Sequence, residues 1–362
     1  MTWSLSGRGC TATLEERSPD SGHSGAIIFQ FLHCRSMDDC TRLEPSLPQL
    51  VFLCSTNMAT VKAEQTSQLG GNAKDIAVLK TAWLDGNEFL MRRRSPRSKP
   101  EWTVSRRMRR CSLTQGGTRF NTLEPDVSPE GLKRSVDFCV EKLRGTKKID
   151  LFQCARVDRS YPLEEQMKVL EGFIKEGKFD CIGLSEASAA TVREANAVVP
   201  IAAVEIEVSP WSYTQETKDV ITACAELDIA VVAYSPLGRG LLTGKMKPED
   251  LEEGDYRRNL SRFKDENFEH NSASVAALTS IAAKKGITTG QLCLAWVSSL
   301  GPHVISIPGS SNYKRTLENI LGGDIVLSSE ELSEINKVLE TLPVKGHRIV
   351  DDIPTSQLRL WG

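Results

Sequence analysis

The sequence predicts an α/β fold of repeated strand–helix units closed into a (β/α)8 TIM barrel, and three observations carry that prediction. From about residue 126 onward, short apolar strands alternate with helices, the signature of parallel βα units. Each strand is apolar along nearly its whole length, as expected where both faces are buried. Polar residues then gather just past the strand ends: Arg156 and Asp158, Ser185 and Glu186, Glu207 and Ser209, Ser235, and Ser310. In a barrel those ends build one active-site face. The alternation alone fits a doubly wound open sheet equally well; the placement of the polar residues favours the barrel.

The elements follow in order. Residues 128 to 143 read as a helix with Ser128 as N-cap, Pro129 in the first turn and Glu130 close behind. A strand at 149 to 154 (IDLFQC) leads to an amphipathic helix at 162 to 178 that ends at Gly177, then to a strand at 179 to 185 (FDCIGLS). The rhythm continues with a helix at 188 to 199, a strand at 203 to 209, a helix at 215 to 228 and a strand at 229 to 235. A longer loop precedes helices at 272 to 285 and 289 to 299, and a strand at 303 to 310 closes the series. Five strands are visible here, so three more are expected before residue 126. There, 74 to 84 (KDIAVLKTAWL) has apolar spacing suited to one amphipathic helix.

Composition narrows the functional classes. The 362 residues carry 45 basic and 47 acidic side chains, a net charge of −2, so the overall balance calls for neither nucleic acid nor an anionic membrane. The longest apolar stretches are short and strand-like, far below the roughly 20 residues of a bilayer-spanning helix. The ten cysteines form no CxxC pair and no zinc-like spacing with the five histidines. Cys154, Cys181, Cys224 and Cys293 read as reduced, buried small hydrophobes, and the expected compartment is cytoplasmic. One segment stands apart. Residues 91 to 115 hold eight Arg and one Lys against a single acid. Clustered Arg of this kind can serve a nucleic-acid or acidic partner, but the block has one aromatic, Trp102, and no stacking array; no nucleic-acid partner is expected.

Two stretches offer chemistry. In VVAYSPLGRGLLTGK (231 to 245), Tyr234 ends a strand and is followed by Ser235, Leu237, Gly238 and Arg239 in a glycine-rich turn. A flat ring beside close-approaching backbone amides suits a nucleotide pyrophosphate with a ring stacked on Tyr234; a plain strand end with a tight turn reads the same way. In ISIPGSSNYKRTLENI (305 to 320), Ser310 precedes a helix start with Lys314 and Arg315 in its first turn. Helix amides and a guanidinium suit a phosphate monoester, and an ordinary capped surface helix is the alternative.

These motifs, with IGLSE at 182 to 186 and EIEVSPW at 205 to 211, occur in the order and spacing of the aldo-keto reductases, which the chain resembles over about 126 to 342. IDLFQCARVDR at 149 to 159 is most similar to the fungal pyridoxal-reductase branch. The resemblance implies a (β/α)8 barrel that binds NADP(H) at the C-terminal strand ends and reduces a small aldehyde or ketone, pyridoxal-like or other. It places Ser185, Glu186 and Glu205 at the nicotinamide carboxamide and Tyr234 under the ring. Ser235, Leu237, Gly238 and Arg239 then run along the pyrophosphate, and Ser310, Arg315, Glu318 and Asn319 grip the adenosine and its 2′-phosphate. Arg315 favours NADP over NAD.

The resemblance also implies a catalytic Tyr, tuned by a Lys and an Asp with a His nearby, because the developing alkoxide needs a proton. Here the Tyr position falls near Leu90, after GNEF at 86 to 89, and the Lys position on Gln115 in LTQGGT; the His position falls on Ala155. No catalytic residue is therefore assigned. A catalytically impaired NADP-binding homologue is the alternative to an active reductase. The Arg-rich island lies between family-like flanks, which is what a local shift of reading frame or a displaced exon boundary produces; a basic surface insertion is the other explanation. The expected organisation is an irregular extension over 1 to 70, a barrel over 71 to 342 disturbed at 85 to 115, and a C-terminal tail over 343 to 362, where Trp361 could line the substrate mouth. Oligomeric state is not legible.

Overall fold

The computed structural model describes residues 113–119, 124–145, 147–310, 314–349 and 359–362 with their side chains, and the backbone of residue 313 and of short strand segments before residue 113. Eleven strands and eight α-helices are present among the described residues. β1 (Thr2–Ser6) and β2 (Gly9–Thr13) form a separate antiparallel pair. β3 (Thr66–Gln68), β4 (Ile76–Leu79), β5 (Glu88–Arg93) and β6 (Arg109–Gly116) follow, and each pairs antiparallel with the next. From β6 the sheet runs parallel through β7 (Ile149–Cys154), β8 (Phe179–Ser185), β9 (Ile201–Glu207), β10 (Ala230–Tyr234) and β11 (Val304–Ser306).

Six parallel strands alternating with helices are the working part of the (β/α)8 barrel that the sequence predicts. Two expectations change before residue 116. The stretch expected as a helix at 74 to 84 contains β4, because IAVL is too short an apolar run for periodicity to separate a strand from a buried helix. Of the strands expected before 126, β6 runs parallel to β7, whereas β3 to β5 pair antiparallel, each with the next.

The helices are α1 (Pro129–Leu143), α2 (Leu163–Lys175), α3 (Ala189–Val198), α4 (Gln215–Glu226), α5 (Asp265–Lys285), α6 (Thr289–Ser299), α7 (Tyr313–Gly322) and α8 (Ser329–Thr341). Local chemistry sets their ends. The Ser128 hydroxyl accepts the Gly131 N–H at 3.1 Å, with Pro129 at the first helical position. Thr288 with Gln291 and Ser328 with Glu331 form reciprocal capping boxes on α6 and α8. Gly286 closes α5 at φ 72°, a left-handed conformation suited to glycine. α5 starts two turns before the expected 272, because its polar first stretch, DENFEHN, carries no apolar period.

Alternation along each strand divides the core in two. Phe152, Cys154, Ile182, Leu184, Val204, Ile206 and Val231 face the helices, with Phe152 stacked on Phe179 at 5.4 Å between ring centroids. Leu113, Leu151, Cys181, Ala203, Val232 and Ile305 form a second apolar layer inside the curve of the sheet. Along β6, β7 and β9 the next residues of that inner row are Gln115, Gln153 and Glu205, and on β8 they are Gly183 and then Ser185. Register places Gln115 beside Gln153, Gln153 beside Gly183, Ser185 beside Glu205, and Tyr234 beside Glu207.

Candidate active site

Two groups of polar side chains meet at the C-terminal ends of the strands. The first is the inner polar layer. The Gln115 amide donates to the Ser185 hydroxyl at 3.1 Å, and the Gln153 amide donates to Glu205 Oε2 at 2.5 Å. Gln153 crosses above Gly183, where a Cβ would stand 3.1 Å from Gln153 Oε1 and 2.7 Å from Leu151 Cδ2. Glycine at 183 is what allows the amide to reach two strands over. Among the described residues, nothing donates to the buried Gln153 Oε1. Burial raises the Glu205 carboxyl to about 7, the Gln153 amide opposes the rise, Glu186 adds to it and Arg156 counters it.

The second group is a network of charges. Glu186 is fully buried, yet Arg348 donates to both its oxygens, at 2.6 Å and 3.3 Å, and the Tyr234 hydroxyl donates to Oε1 at 2.7 Å. Burial alone lifts the Glu186 carboxyl; the Arg348 guanidinium and the Tyr234 hydroxyl outweigh it and hold the group below its ordinary value. Tyr234 itself is pushed well above the usual phenol range by burial and by the charges of Glu186 and Glu207. Glu207, 2% exposed, accepts from Ser212 at 2.9 Å and from Arg239 at 3.2 Å, and lies 3.9 Å from Arg262 and 3.5 Å from Arg348. Arg262 also donates to Ser212 and to the Trp211 and Gly346 carbonyls.

Three guanidiniums, on Arg239, Arg262 and Arg348, thus share two carboxylates, on Glu186 and Glu207. Burial lowers Arg262 to about 10 against the pull of Glu207, and the neighbouring charges of Arg239 and Arg348 push the same way as burial. The excess of one positive charge in a buried setting is a place for an anion. Backbone conformation is strained at the same strand ends: Glu186 (φ 54°), Ser235 (φ 50°) and Arg239 (φ 56°) are non-glycine residues in the left-handed region.

The C-terminal segment completes the mouth. The Trp361 N–H donates to the Glu186 carbonyl at 2.7 Å, Ser188 N–H donates to the Trp361 carbonyl, and the Thr191 hydroxyl donates to the Gly362 carbonyl at 2.6 Å. Arg348 lies over the Trp361 ring, 5.4 Å from its centroid, and Arg359 pairs with Asp158.

The cofactor residues predicted from the sequence fall into four places. Ser185 and Glu205 share the inner layer, while Glu186, Tyr234 and Arg239 share the charge network. Ser235, Leu237 and Gly238 form the turn that leaves β10, with Gly238 N–H donating to the Ser235 carbonyl at 2.9 Å. Ser310, Arg315, Glu318 and Asn319 lie beyond β11 and along α7: Arg315 is exposed on the first turn, Asn319 is buried, and Glu318 accepts from the Thr288 hydroxyl at 2.6 Å. Leu90 lies in β5, and Gln115, the other position without its expected catalytic residue, is exposed at the end of β6. Arg262 and Arg348 were not legible in the sequence, because each lies in a segment without period or motif. Gln153 left a signal, as the one uncharged polar residue in the apolar run IDLFQC.

Among the described residues no group of His, Cys, Asp and Glu could hold a metal ion, and no helix is long and apolar enough to cross a membrane. The cysteines at 139, 154, 181, 224 and 293 are buried free thiols, and burial pushes each up to about 12.

The sequence profile of the aldo/keto reductase family matches residues 87–340. A probable pyridoxal reductase 2 of Schizosaccharomyces pombe is 41% identical over 240 residues, spanning 65% of this chain and 72% of that protein. Aldo-keto reductase str7 of Strobilurus tenacellus is 40% identical over 231 residues, 61% of this chain and 69% of its own length. The NADP(+)-designated aldo-keto reductase yakc of S. pombe is 39% identical over 223 residues, 61% of this chain and 65% of its own. Among solved structures, the glycerol dehydrogenase AKR11B4 from Gluconobacter oxydans superposes with a TM-score of 0.57 over 67% of this chain and 75% of that one, at 23% identity, a likeness of fold.

Proposed function

The chain belongs to the aldo/keto reductase family, and from that premise we propose that it reduces a small aldehyde or ketone, pyridoxal being the first to try, to the alcohol with NADPH. The observation that carries the reading is the unbalanced charge network at the strand ends, three guanidiniums on two buried carboxylates, which an anionic cofactor would neutralise. Ser185 and Glu205 would face the carboxamide. Glu186, with both oxygens engaged, anchors the Tyr234 ring under the nicotinamide instead of meeting the ligand. Ser235, Leu237, Gly238 and Arg239 follow the pyrophosphate, and Ser310, Arg315, Glu318 and Asn319 the adenosine end, where Arg315 meets the 2′-phosphate. When bound, NADPH supplies a hydride to the carbonyl carbon. The buried thiols accord with a cytoplasmic protein.

The test is a fluorescence titration with NADPH and NADH, followed by turnover with pyridoxal and a panel of small carbonyls. NADPH should bind more tightly than NADH, and Arg315→Ala should erase about tenfold of that preference. Equal affinity for the two nucleotides would count against the assignment.

A second reading has its own observation. Gln115 stands where the family Lys is expected, and its amide is spent on Ser185. An uncharged amide cannot tune a proton donor, so the alternative is a nucleotide-binding homologue with weak turnover. General acid catalysis contributes on the order of 10²- to 10⁴-fold, so binding with turnover reduced by that factor identifies it.

A further inference from the structure

Glu186 and Glu205 are carboxyls on neighbouring strands at one mouth, and their partners differ in kind. Glu186 meets a guanidinium through two hydrogen bonds. Glu205 is half-buried, and its side-chain hydrogen bond comes from the neutral Gln153 amide on Oε2. Among the described residues, the groups around Glu205 are Gln153 and Arg156 from β7 and the loop after it, Ser185 at the end of β8 and Glu186 just past it, Val232 and Tyr234 from β10, and Gln115 beyond Ser185. The Tyr234 hydroxyl is committed to Glu186, and Arg156 and Glu186 exert opposite electrostatic pulls on Glu205.

Gln153 adds an independent observation. Its Oε1 is buried over Gly183 with no donor among the described residues. An amide and a neutral carboxyl side by side satisfy each other with two orientations of the amide: NH2 donating to an ionised Glu205, or the Glu205 O–H donating to Oε1. In the second arrangement the orphaned oxygen is paired. The pair is therefore built to hold Glu205 with or without its proton.

We propose that Glu205 makes nucleotide binding at this site proton-linked and selective for redox state, an ionised Glu205 favouring the oxidised cofactor. The proposal rests on the reading above that the nicotinamide lies against β9 and β10. The oxidised ring carries a positive charge and the reduced ring none. A carboxylate beside the ring attracts the positive charge of the first, an attraction the second lacks; a neutral carboxyl does not distinguish them. When the oxidised nucleotide enters a site whose Glu205 is protonated, the carboxyl O–H bond breaks and the proton passes to solvent.

The free carboxyl is held near 7 by burial. Preference for NADP+ over NADPH should thus grow as pH rises from about 5.5 through about 8.5, by about tenfold for each unit that the ring's charge lowers the carboxyl. Both nucleotides carry the same phosphates, whose second ionisation lies near pH ~6, so the ratio of their dissociation constants cancels phosphate titration.

The experiment measures both dissociation constants across this range for the full chain and for Glu205→Gln. Calorimetry of NADP+ binding to the wild-type chain in two buffers of different ionisation enthalpy counts protons released without any variant. Expected are a rising preference and net proton release in the wild type, and a flat ratio in Glu205→Gln. A flat ratio with no excess release over NADPH in the wild type, or an unchanged slope in Glu205→Gln, overturns the proposal and leaves the reductase reading standing. Failure of both nucleotides to bind overturns the reductase reading and this proposal with it.

Discussion

The charge network and the inner polar layer sit side by side at the strand ends, yet they obey different electrostatics. In the network each carboxylate meets guanidinium groups, and Glu186 stays ionised although fully buried. In the layer, Glu205 has an amide for a partner and its proton is held to about 7. The same side-chain type thus takes opposite acidities on adjacent strands. What separates the two is a partner charge at hydrogen-bond distance, since burial pushes both carboxyls the same way.

The sharpest way to break this comparison is to remove the network's cation. Arg348→Ala leaves Glu186 buried with the Tyr234 hydroxyl and a long backbone N–H contact. Loss of one partner of a buried pair should lower the unfolding free energy by about 3–5 kcal/mol, read from urea denaturation at neutral pH.

A smaller effect is expected from crowding the layer. In Gly183→Ala the new methyl lands 2.7 Å from Leu151 Cδ2 and 3.2 Å from the Ala203 carbonyl oxygen. Overpacking of this kind should cost about 1–3 kcal/mol, and a melting temperature unchanged from wild type would contradict the close approach of Leu151 and the Ala203 carbonyl to Gly183.

The two carboxyls should also leave opposite marks on stability against pH. Glu186 is depressed in the folded chain, so its contribution is present above the unfolded carboxylate value, about 4.3, and fades as pH falls through its folded value. Glu205 is raised, so the folded chain keeps that proton longer than the unfolded one, and stability drains as pH climbs from about 4.3 through about 7. Glu205→Gln should therefore gain stability over the wild type as pH rises to about 8, and that gain should vanish below about pH 4. Denaturation curves at the two pH values decide it.

The smallest change is expected from Gln115→Ala, which removes one exposed amide from Ser185. Stability should move by less than about 0.5 kcal/mol, and turnover should fall little, because the uncharged Gln115 amide does not tune a proton donor. A large loss of activity would show that Gln115 serves the chemistry after all.

Legibility in the sequence follows the range of the interaction. Ser128 caps its helix through a partner three residues away, so that start can be read directly, whereas the helix capped by Ser328 is absent from the sequence reading. Strands 149–154 and 179–185 fall where apolar runs place them. The start of α5 and the strand at 76–79 were misread where polarity hid the period or the run was too short to show one. Of the candidate site, the contiguous motifs at 182–186 and 231–245 were visible. The residues that govern their charge were not: Arg348 reaches Glu186 across 162 positions and Tyr234 across 114.

The sequence by itself determined the alternation of strand and helix, the order of the parallel strands and the identity of the residues at their C-terminal ends, because caps, periods and motifs act over a few residues. Tertiary structure alone decided which of those end residues are charged. Glu186 and Glu205 are the same residue type 19 positions apart in the sequence. One became a locked anion and the other a holder of a proton when the chain brought a guanidinium to the first and an amide to the second.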